Sequence, residues 1–227
     1  MKRCGLFAVL VLPFFFPLGS SALQAQSPDQ SPVKTTITFN RVWEEITPQN
    51  ITMTVTSDGL TKYVSHSDAK PPDTPDADDY QTEFTITPAC LEKIFRYAKD
   101  TNYFEGDFSY KKRVAATGKK TLAYADSVRH SNTTYDYSEN KAIQELTDIF
   151  QGISNTVESG RKLVFKHRFD KLGLEDELKG MESAQASHNL VQLQIIASTL
   201  ESIADDTSVL HIARQRAKRL LAKASSE

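Results

Sequence analysis

Histidine, carboxylate and tyrosine side chains are the groups in this chain that could act in acid–base catalysis or hold a metal ion. No two of the five histidines stand four residues apart, the spacing at which two imidazoles on one helix share a zinc ion. An enzyme would need a pocket that brings together at least two candidates: His66, His130, Asp126 and Tyr124. His66 and Asp68 would also suit a metal ion, but exposed polar residues at a strand end are the simpler interpretation.

Two loop segments contain the residue types of phosphate and calcium sites. Residues 117–121 read Thr-Gly-Lys-Lys-Thr, but Arg113 stands where a phosphate-binding loop requires glycine, so we interpret the segment as a turn. Residues 73–79 contain four aspartates but lack the central glycine and final glutamate of an EF-hand loop. The sequence therefore predicts no catalytic residue, no metal and no cofactor.

Aromatic residues crowd the segment between the first predicted helix and the fifth predicted strand: Tyr103, Phe104, Phe108 and Tyr110. One interpretation places them in the core, where they close the end of the sheet. The other makes the segment an exposed edge that binds a partner, because tyrosine and phenylalanine supply a large contact area. We retain all four as candidate partner-binding residues.

The last predicted helix carries a run of basic residues with no acidic residue before Glu227: Arg214, Arg216, Lys218, Arg219 and Lys223. Cations are favoured near a helix C-terminus by the macrodipole, and they are also typical of a solvated helix face. The alternative is contact with an anionic partner or a membrane surface, for which Arg214 and Lys218 are the candidates.

The elements that would position these side chains begin after an export signal. Two basic residues precede an apolar run over residues 6–18, and Ala22 and Ala25 occupy the −3 and −1 positions of a signal-peptide cleavage site. The run is shorter than the roughly 20 residues that span a bilayer. We therefore predict a signal peptide over 1–25, export to the periplasm or the extracellular space, and no transmembrane span once the signal is removed. Polar residues 26–34 are predicted to form a disordered leader.

Removal of the signal peptide changes both the charge and the cysteine content. The formal charge of the 227-residue chain is −2, and without Lys2 and Arg3 it becomes −4. This balance gives no electrostatic basis for binding nucleic acid. Cys90 remains as the single cysteine, and its place at the start of an amphipathic helix favours burial over reactivity.

Alternating hydrophobic residues predict six strands in the first part of the exported chain. They lie near residues 37–43, 51–56, 60–66, 80–86, 122–128 and 133–137. One helix is predicted from Thr87-Pro88 to Thr101, and Ser138 is predicted to be the N-cap of a second. The hairpin-like connections predict an α+β fold: an antiparallel β-sheet of five to six strands with two helices on one face.

Beyond Gly160 the spacing of apolar residues is helical throughout. Residues 190–204 and 210–224 repeat the same spacing of three and four, which predicts an antiparallel helical hairpin at the end of the chain. The net charge also changes here, from −6 over residues 26–159 to +2 over 160–227. We therefore predict an α+β domain over 35–159 and a helical C-terminal region over 160–227.

Four short segments between residues 36 and 153 resemble the emfourin-type domains that inhibit secreted metalloproteases, and related uncharacterised exported domains of bacteria. They are TITFNR, TVTSDG, LEKIFRYAKDTNYF and LTDIF. Where emfourin-type sequences carry Gly-Gly after the first strand, this chain has Val42-Trp43-Glu44-Glu45. The resemblance implies an exported binding module and transfers no functional residue.

Together these observations favour a non-catalytic exported protein that binds another exported protein. The first alternative is an inhibitor of a secreted protease, which would present an ordered loop such as 44–50 or 105–118. The second alternative is an enzyme of a type that the motifs do not identify.

Overall fold

A computed structural model describes residues 34–67, 79–113, 115 and 117–225. Six strands form one antiparallel sheet with the order β4-β3-β2-β1-β5-β6. The strands are β1 Thr36–Val42, β2 Asn50–Thr56, β3 Leu60–His66, β4 Tyr80–Thr85, β5 Lys119–Ala125 and β6 His130–Tyr135. β1 lies inside the sheet between β2 and β5, so β4 and β6 form its two edges.

Five α-helices accompany the sheet, and together they confirm the predicted α+β class. They are α1 Pro88–Asp100, α2 Lys141–Phe169, α3 Leu174–Ala186, α4 Ala197–Asp205 and α5 His211–Ala224. α1 begins as predicted, with the Thr87 hydroxyl accepting a hydrogen bond from the backbone N–H of Cys90 at 3.4 Å. Within the described residues, no helix is both long and apolar enough to cross a membrane.

The main core lies between one face of the sheet and helices α1 and α2. Strand residues alternate between this buried face and the solvent, as in β1, where Ile37 and Phe39 are fully buried. The Phe39 ring stacks on Phe150 of α2 with 5.1 Å between ring centroids. Ile94 of α1 and Cys90, which is 8% exposed, complete this layer.

The opposite face of the sheet is polar and rich in threonine. Thr38 and Thr54 face each other across β1 and β2 with 3.2 Å between their hydroxyls. Thr121 and Thr134 do the same across β5 and β6 at 3.0 Å. This polar face is the solvent-exposed face that the alternating pattern predicts.

A second hydrophobic cluster holds the helical region together. The cluster under the sheet extends along α2 to Val157, and the second one begins at Leu163. α4 and α5 pack on each other across a five-residue connection. The predicted domain boundary at residue 160 therefore lies inside α2, at the point where this helix passes from one cluster to the other.

Two local predictions were wrong because side chains bind elsewhere. The α2 N-cap is Asn140, whose Oδ1 accepts bonds from the N–H groups of Ala142 and Ile143, whereas Ser138 accepts a bond from the Asn140 N–H. The helix predicted over 190–204 starts only at Ala197, after a 3₁₀ turn.

The late start of α4 has a tertiary cause. Gln192 adopts a left-handed backbone with φ of 60°, and its side-chain amide binds Thr87, the N-cap of α1. Its Oε1 accepts a bond from the Thr87 N–H at 2.7 Å, and its Nε2 donates to the Thr87 hydroxyl at 3.0 Å. This pair of bonds ties the chain that enters the helical region to the start of α1.

Candidate interaction surface

The aromatic segment singled out in the sequence lies along the outer edge of β6. Ser131 of β6 donates a side-chain hydrogen bond to the Tyr103 carbonyl at 2.5 Å. Further along, the backbone N–H of Tyr110 donates to the Tyr137 carbonyl at 2.9 Å. The Ser109 hydroxyl also donates to the Thr134 carbonyl of β6 at 2.9 Å, so the segment lies along this edge strand and binds it at that carbonyl.

The segment begins with three consecutive residues in the left-handed backbone region. Asn102, Tyr103 and Phe104 have φ angles of 48°, 56° and 70°. This conformation costs roughly 1–2 kcal/mol for each residue that is not glycine. It is stabilised by Phe104, whose side chain is fully buried in the main core, and by a bond from Asn102 Nδ2 to Glu105 Oε2 at 2.9 Å. Strain held by its surroundings in this way is typical of functional segments.

The Tyr103 ring contacts both another aromatic ring and a cation. Its centroid is 4.6 Å from that of Tyr124, and the Arg129 guanidinium lies 4.1 Å from the Tyr103 centroid. Tyr124 donates a hydrogen bond to Asp126 Oδ2 at 2.9 Å, and burial raises the pKa of its phenol. Arg129 is also 3.8 Å from a Glu105 carboxylate oxygen. The stack fixes Tyr103 in a single orientation at the surface.

A tight turn between β5 and β6 projects next to this stack. Asp126 Oδ1 accepts bonds from the backbone N–H groups of Val128 and Arg129, both at 2.7 Å. These backbone bonds lower the pKa of the Asp126 carboxyl. The Val128 side chain is 90% exposed at the tip of the turn. An ordered turn thus presents an apolar side chain to solvent.

The other aromatic residues of the segment continue the surface toward α2. The Tyr110 ring contacts Tyr137 edge-on with 5.5 Å between centroids, and Tyr137 is 40% exposed. Phe108 is half-buried and packs against the main core. Of the four aromatic candidates, Tyr103, Phe108 and Tyr110 therefore reach the surface, whereas the Phe104 side chain supports the segment from inside.

The basic residues of α5 are divided between two environments. Arg216 forms ion pairs with Glu175 at 3.0 Å and with Glu182, and Arg219 binds Glu182 at 2.7 Å. Both acids belong to α3, so part of the basic charge is neutralised within the helical region. Both guanidinium groups lower the pKa of the Glu182 carboxyl.

The two α5 candidates lie apart from the aromatic surface. Lys218 is exposed and Arg214 is half-buried, with its Nε enclosed and without a hydrogen-bond partner. Both belong to a helix that packs on α3 and α4, whereas the aromatic candidates follow β6. The structure therefore gathers Tyr103, Phe108 and Tyr110 into one surface and leaves Arg214 and Lys218 on another element.

The residues proposed for an enzyme are only partly brought together. Tyr124 and Asp126 are hydrogen-bonded, but His130 is exposed at the start of β6, opposite Ala125 on the polar side of the sheet. His66 ends β3, three strands away from β5, and its Nδ1 lies 2.5 Å from Asp79. Asp68 and most of the aspartate-rich loop lie outside the described residues. The described part of the chain contains no group of three or more His, Cys, Asp or Glu side chains that could hold a metal ion.

A cavity of about 350 Å³ lies beside the aromatic surface, between α2 and the ends of β5 and β6. One wall is a stripe on α2 that includes Gln144, Thr147 and Asp148, and the other includes Lys120 and Tyr135. Burial, together with the nearby charge of Glu145, raises the pKa of the Asp148 carboxyl. Burial also raises the pKa of Tyr135 to about 12. The cavity offers hydroxyl, amide and carboxyl groups to a small polar ligand.

Lys120 is bound too completely to serve that cavity as a free amine. Its Nζ donates to the carbonyls of Thr117 at 2.8 Å, Gly118 at 3.0 Å and Asp136 at 2.8 Å, and it lies 3.1 Å from the Thr117 hydroxyl. Burial lowers its pKa to about 8, Asp136 partly offsets this, and the charge of Arg41 adds to it. Lys120 therefore ties the 117–118 turn to the end of β6.

Sequence analysis missed Arg129, Val128 and Lys120. Val128 was predicted to belong to the fifth strand, but β5 ends at Ala125, and Val128 and Arg129 follow Asp126 in a turn that the strand pattern did not indicate. Lys120 precedes Leu122 and Tyr124 by two and four residues, so strand alternation places it on the buried face. That alternation was a signal for an inward-facing Lys120. It was missed because lysine side chains are seldom buried.

No protein-family model matches this chain, and no curated protein is similar to it. The resemblance to emfourin-type domains over residues 36–153 therefore stays a prediction.

Proposed function

We propose that this chain is an exported, non-catalytic protein that binds another exported protein through a surface along β6. This β6 surface consists of the exposed or half-buried side chains of Tyr103, Phe108, Tyr110, Val128 and Arg129. The observation that supports the proposal is the left-handed stretch at 102–104, whose Tyr103 ring contacts a second aromatic ring and a guanidinium.

Such a surface suits a protein partner for two physical reasons. Tyrosine and arginine dominate the energetically important contacts of protein interfaces, because each combines a large apolar area with a hydrogen-bonding group. Side chains already held in one orientation also lose little conformational entropy when a partner binds. Tyr103 meets both conditions, and Val128 adds an apolar contact beside it.

The test is affinity capture from the native exported fraction with three forms of the protein. Val128→Asp places a charge at the centre of the surface, and it leaves intact the backbone N–H that Asp126 binds. Leu172→Asp is the matched control, because Leu172 is 75% exposed on the connection between α2 and α3. We expect the wild type and the control to retain the same partner and Val128→Asp to lose it.

A second variant separates the stack from the turn. Arg129→Gln removes the cation over Tyr103 and keeps the backbone bonds of the turn. We expect weaker retention of the same partner. If both surface variants retain their partner as well as the control does, the β6 surface is not the binding site.

A protease inhibitor is the second candidate function, and one loop favours it. The loop between β1 and β2 is closed by a bond from the Trp43 N–H to the Gln49 carbonyl at 2.7 Å. The buried Arg41 side chain also stabilises the loop, since its Nη2 donates to the Pro48 carbonyl at 3.1 Å. A loop constrained at both points loses little conformational entropy when a target binds it.

Inhibition assays against a panel of exported proteases test this second function. We expect inhibition of at least one of them by the wild type and its loss in Arg41→Met, which releases the Pro48 carbonyl. If no protease is inhibited by a molar excess of the protein, the inhibitor function is excluded.

A further inference from the structure

The two edges of the sheet differ in what covers them. At the outer edge of β6, the Ser109 hydroxyl of the aromatic segment donates to the Thr134 carbonyl at 2.9 Å, and the segment also binds the Ser131 hydroxyl and the Tyr137 carbonyl just beyond the strand. At the other edge, β4 pairs with β3 on one side, and no backbone hydrogen bond from Tyr80–Thr85 to any other described segment is present. β4 also contains no proline and no lysine, the residues that commonly protect an edge from pairing.

The direction of the free backbone groups on β4 follows from one hydrogen bond. The N–H of Ile86 donates to the Gly59 carbonyl at 3.2 Å, in the same register as the β3–β4 ladder. In an antiparallel pair the residues alternate between facing the partner strand and facing away from it. Tyr80, Thr82 and Phe84 therefore direct their backbone groups to β3, whereas those of Gln81 and Glu83 point to the open edge.

We propose that β4 pairs antiparallel with β4 of a second copy of this chain, with Thr82 on the two-fold axis. In this register Gln81 of each copy lies opposite Glu83 of the other, and the outward backbone groups of both residues form hydrogen bonds. The two sheets then join into one sheet of twelve strands.

The side chains of β4 are self-complementary in this register. Tyr80 lies opposite Phe84 of the second copy on the core face, twice per dimer, and both aromatic rings are only half-buried in the single chain. These are non-hydrogen-bonded pairs, in which opposite side chains approach most closely. On the polar face Gln81 meets Glu83, so an amide faces a carboxylate.

Neighbouring registers are less favourable. A shift of the axis to Glu83 places two carboxylates directly opposite each other and separates the aromatic rings, because Thr82 then meets Phe84. An axis between two residues would pair side chains that point to opposite faces. A shift of the axis to Gln81 places Tyr80 opposite Thr82 and brings two carboxylates together, Asp79 and Glu83. Of the three registers, the one centred on Thr82 alone pairs the aromatic rings and opposes no like charges.

Sedimentation analysis of the protein expressed from its full coding sequence tests the proposal. We expect a reversible dimer, and the charge of two exposed side chains should control its Kd. Gln81→Glu puts two carboxylates opposite each other at two places per dimer and should raise Kd roughly threefold to thirtyfold. The double variant Gln81→Glu with Glu83→Gln restores one carboxylate per pair and should return Kd to within about threefold of the wild type.

Hydrogen exchange at low and high protein concentration gives an independent readout with an internal control. The amides of Gln81 and Glu83 should become protected as the dimer forms. The amides of Thr82 and Phe84, which already face β3, should not change. This pattern distinguishes the edge pairing from association through any other surface.

Three results would overturn the proposal. The first is a chain that stays monomeric at all concentrations examined. The second is a dimer whose Kd is the same in wild type and Gln81→Glu. The third is protection of Gln81 and Glu83 only when a strand from a different protein is added, which would make β4 an edge for another partner. None of them depends on the β6 surface, so the two proposals can fail separately.

Discussion

Arg41 and Lys120 lie directly opposite each other on β1 and β5, and both side chains are on the buried face of the sheet, 6% and 4% exposed. Like charges opposed across two strands are destabilising. Each cation is therefore bound by its own oxygen atoms: Arg41 by the Pro48 carbonyl, and Lys120 by three carbonyls and a hydroxyl. Burial lowers the pKa of both groups.

The lowered pKa of Lys120 predicts a specific dependence of stability on pH. Between the folded-state pKa of about 8 and the ordinary value of 10.5, the unfolded chain binds a proton at this site that the folded chain has released. The free energy of unfolding therefore gains a contribution that increases with pH in this window, by up to about 1.4 kcal/mol per pH unit.

Lys120→Met removes this contribution and provides the comparison. Urea unfolding of both proteins from pH 7 to 10.5 should show the wild type gaining stability relative to the variant above pH 8. A constant difference over that range would contradict the lowered pKa.

Phe104→Ala should strongly destabilise the fold, because the ring is fully buried and supports the left-handed stretch. We expect a loss of about 3–5 kcal/mol in the free energy of unfolding, as for other phenylalanines removed from a core. Phe169→Ala is the matched control, since Phe169 is 65% exposed at the end of α2. Equal effects of the two substitutions on urea unfolding would show that Phe104 does not hold the segment.

Two helical glycines should respond to alanine in opposite directions. A Cβ on Gly160 of α2 would lie 2.3 Å from Ile196 Cγ2, so Gly160→Ala must displace the 3₁₀ turn and should lower the melting temperature. A Cβ on Gly180 of α3 meets nothing within 4 Å. Gly180→Ala should therefore stabilise the protein by about 1 kcal/mol through helix propensity alone. Thermal unfolding of the two variants measures both effects, and a stabilised Gly160→Ala would show that α2 and the turn are not in close contact.

Tyr63→Phe should destabilise the protein, because it removes a hydrogen bond to a buried carboxylate. Glu158 of α2 is 8% exposed, and its Oε1 accepts bonds from the Tyr63 hydroxyl at 2.7 Å and from Ser65 at 2.9 Å. Removing one donor to a buried charge costs about 1.5–3 kcal/mol. Tyr97→Phe serves as the control, because Tyr97 is only half-buried on α1. A Tyr63→Phe protein as stable as its control in urea would mean that Glu158 does not depend on this bond.

Local sequence pattern was sufficient for most elements. Alternation of apolar residues predicted the strands, including β3 at 60–66, and Thr87-Pro88 marked the start of α1. The same alternation predicted one buried and one polar face. These features depend on side chains within a few residues of one another, so they can be read from spacing alone.

The placement of the candidate surface depended on contacts between distant parts of the chain. The spacing of Tyr103 and Tyr110 left open whether they close the core or form an edge, and in the structure both are half-buried beside β6. Arg216 was read as a solvated cation, yet it pairs with α3 acids 34 and 41 residues away.

The sequence by itself determined the strands, the helices and the polarity of each face, because these follow from periodicity along the chain. Only the tertiary structure decided that Lys120 faces Arg41, that Gln192 interrupts a helix to bind Thr87, and that the aromatic segment lies along β6. Each of these outcomes depends on which elements become neighbours. That choice is set by the packing of the whole core and is not encoded in the spacing of any one segment.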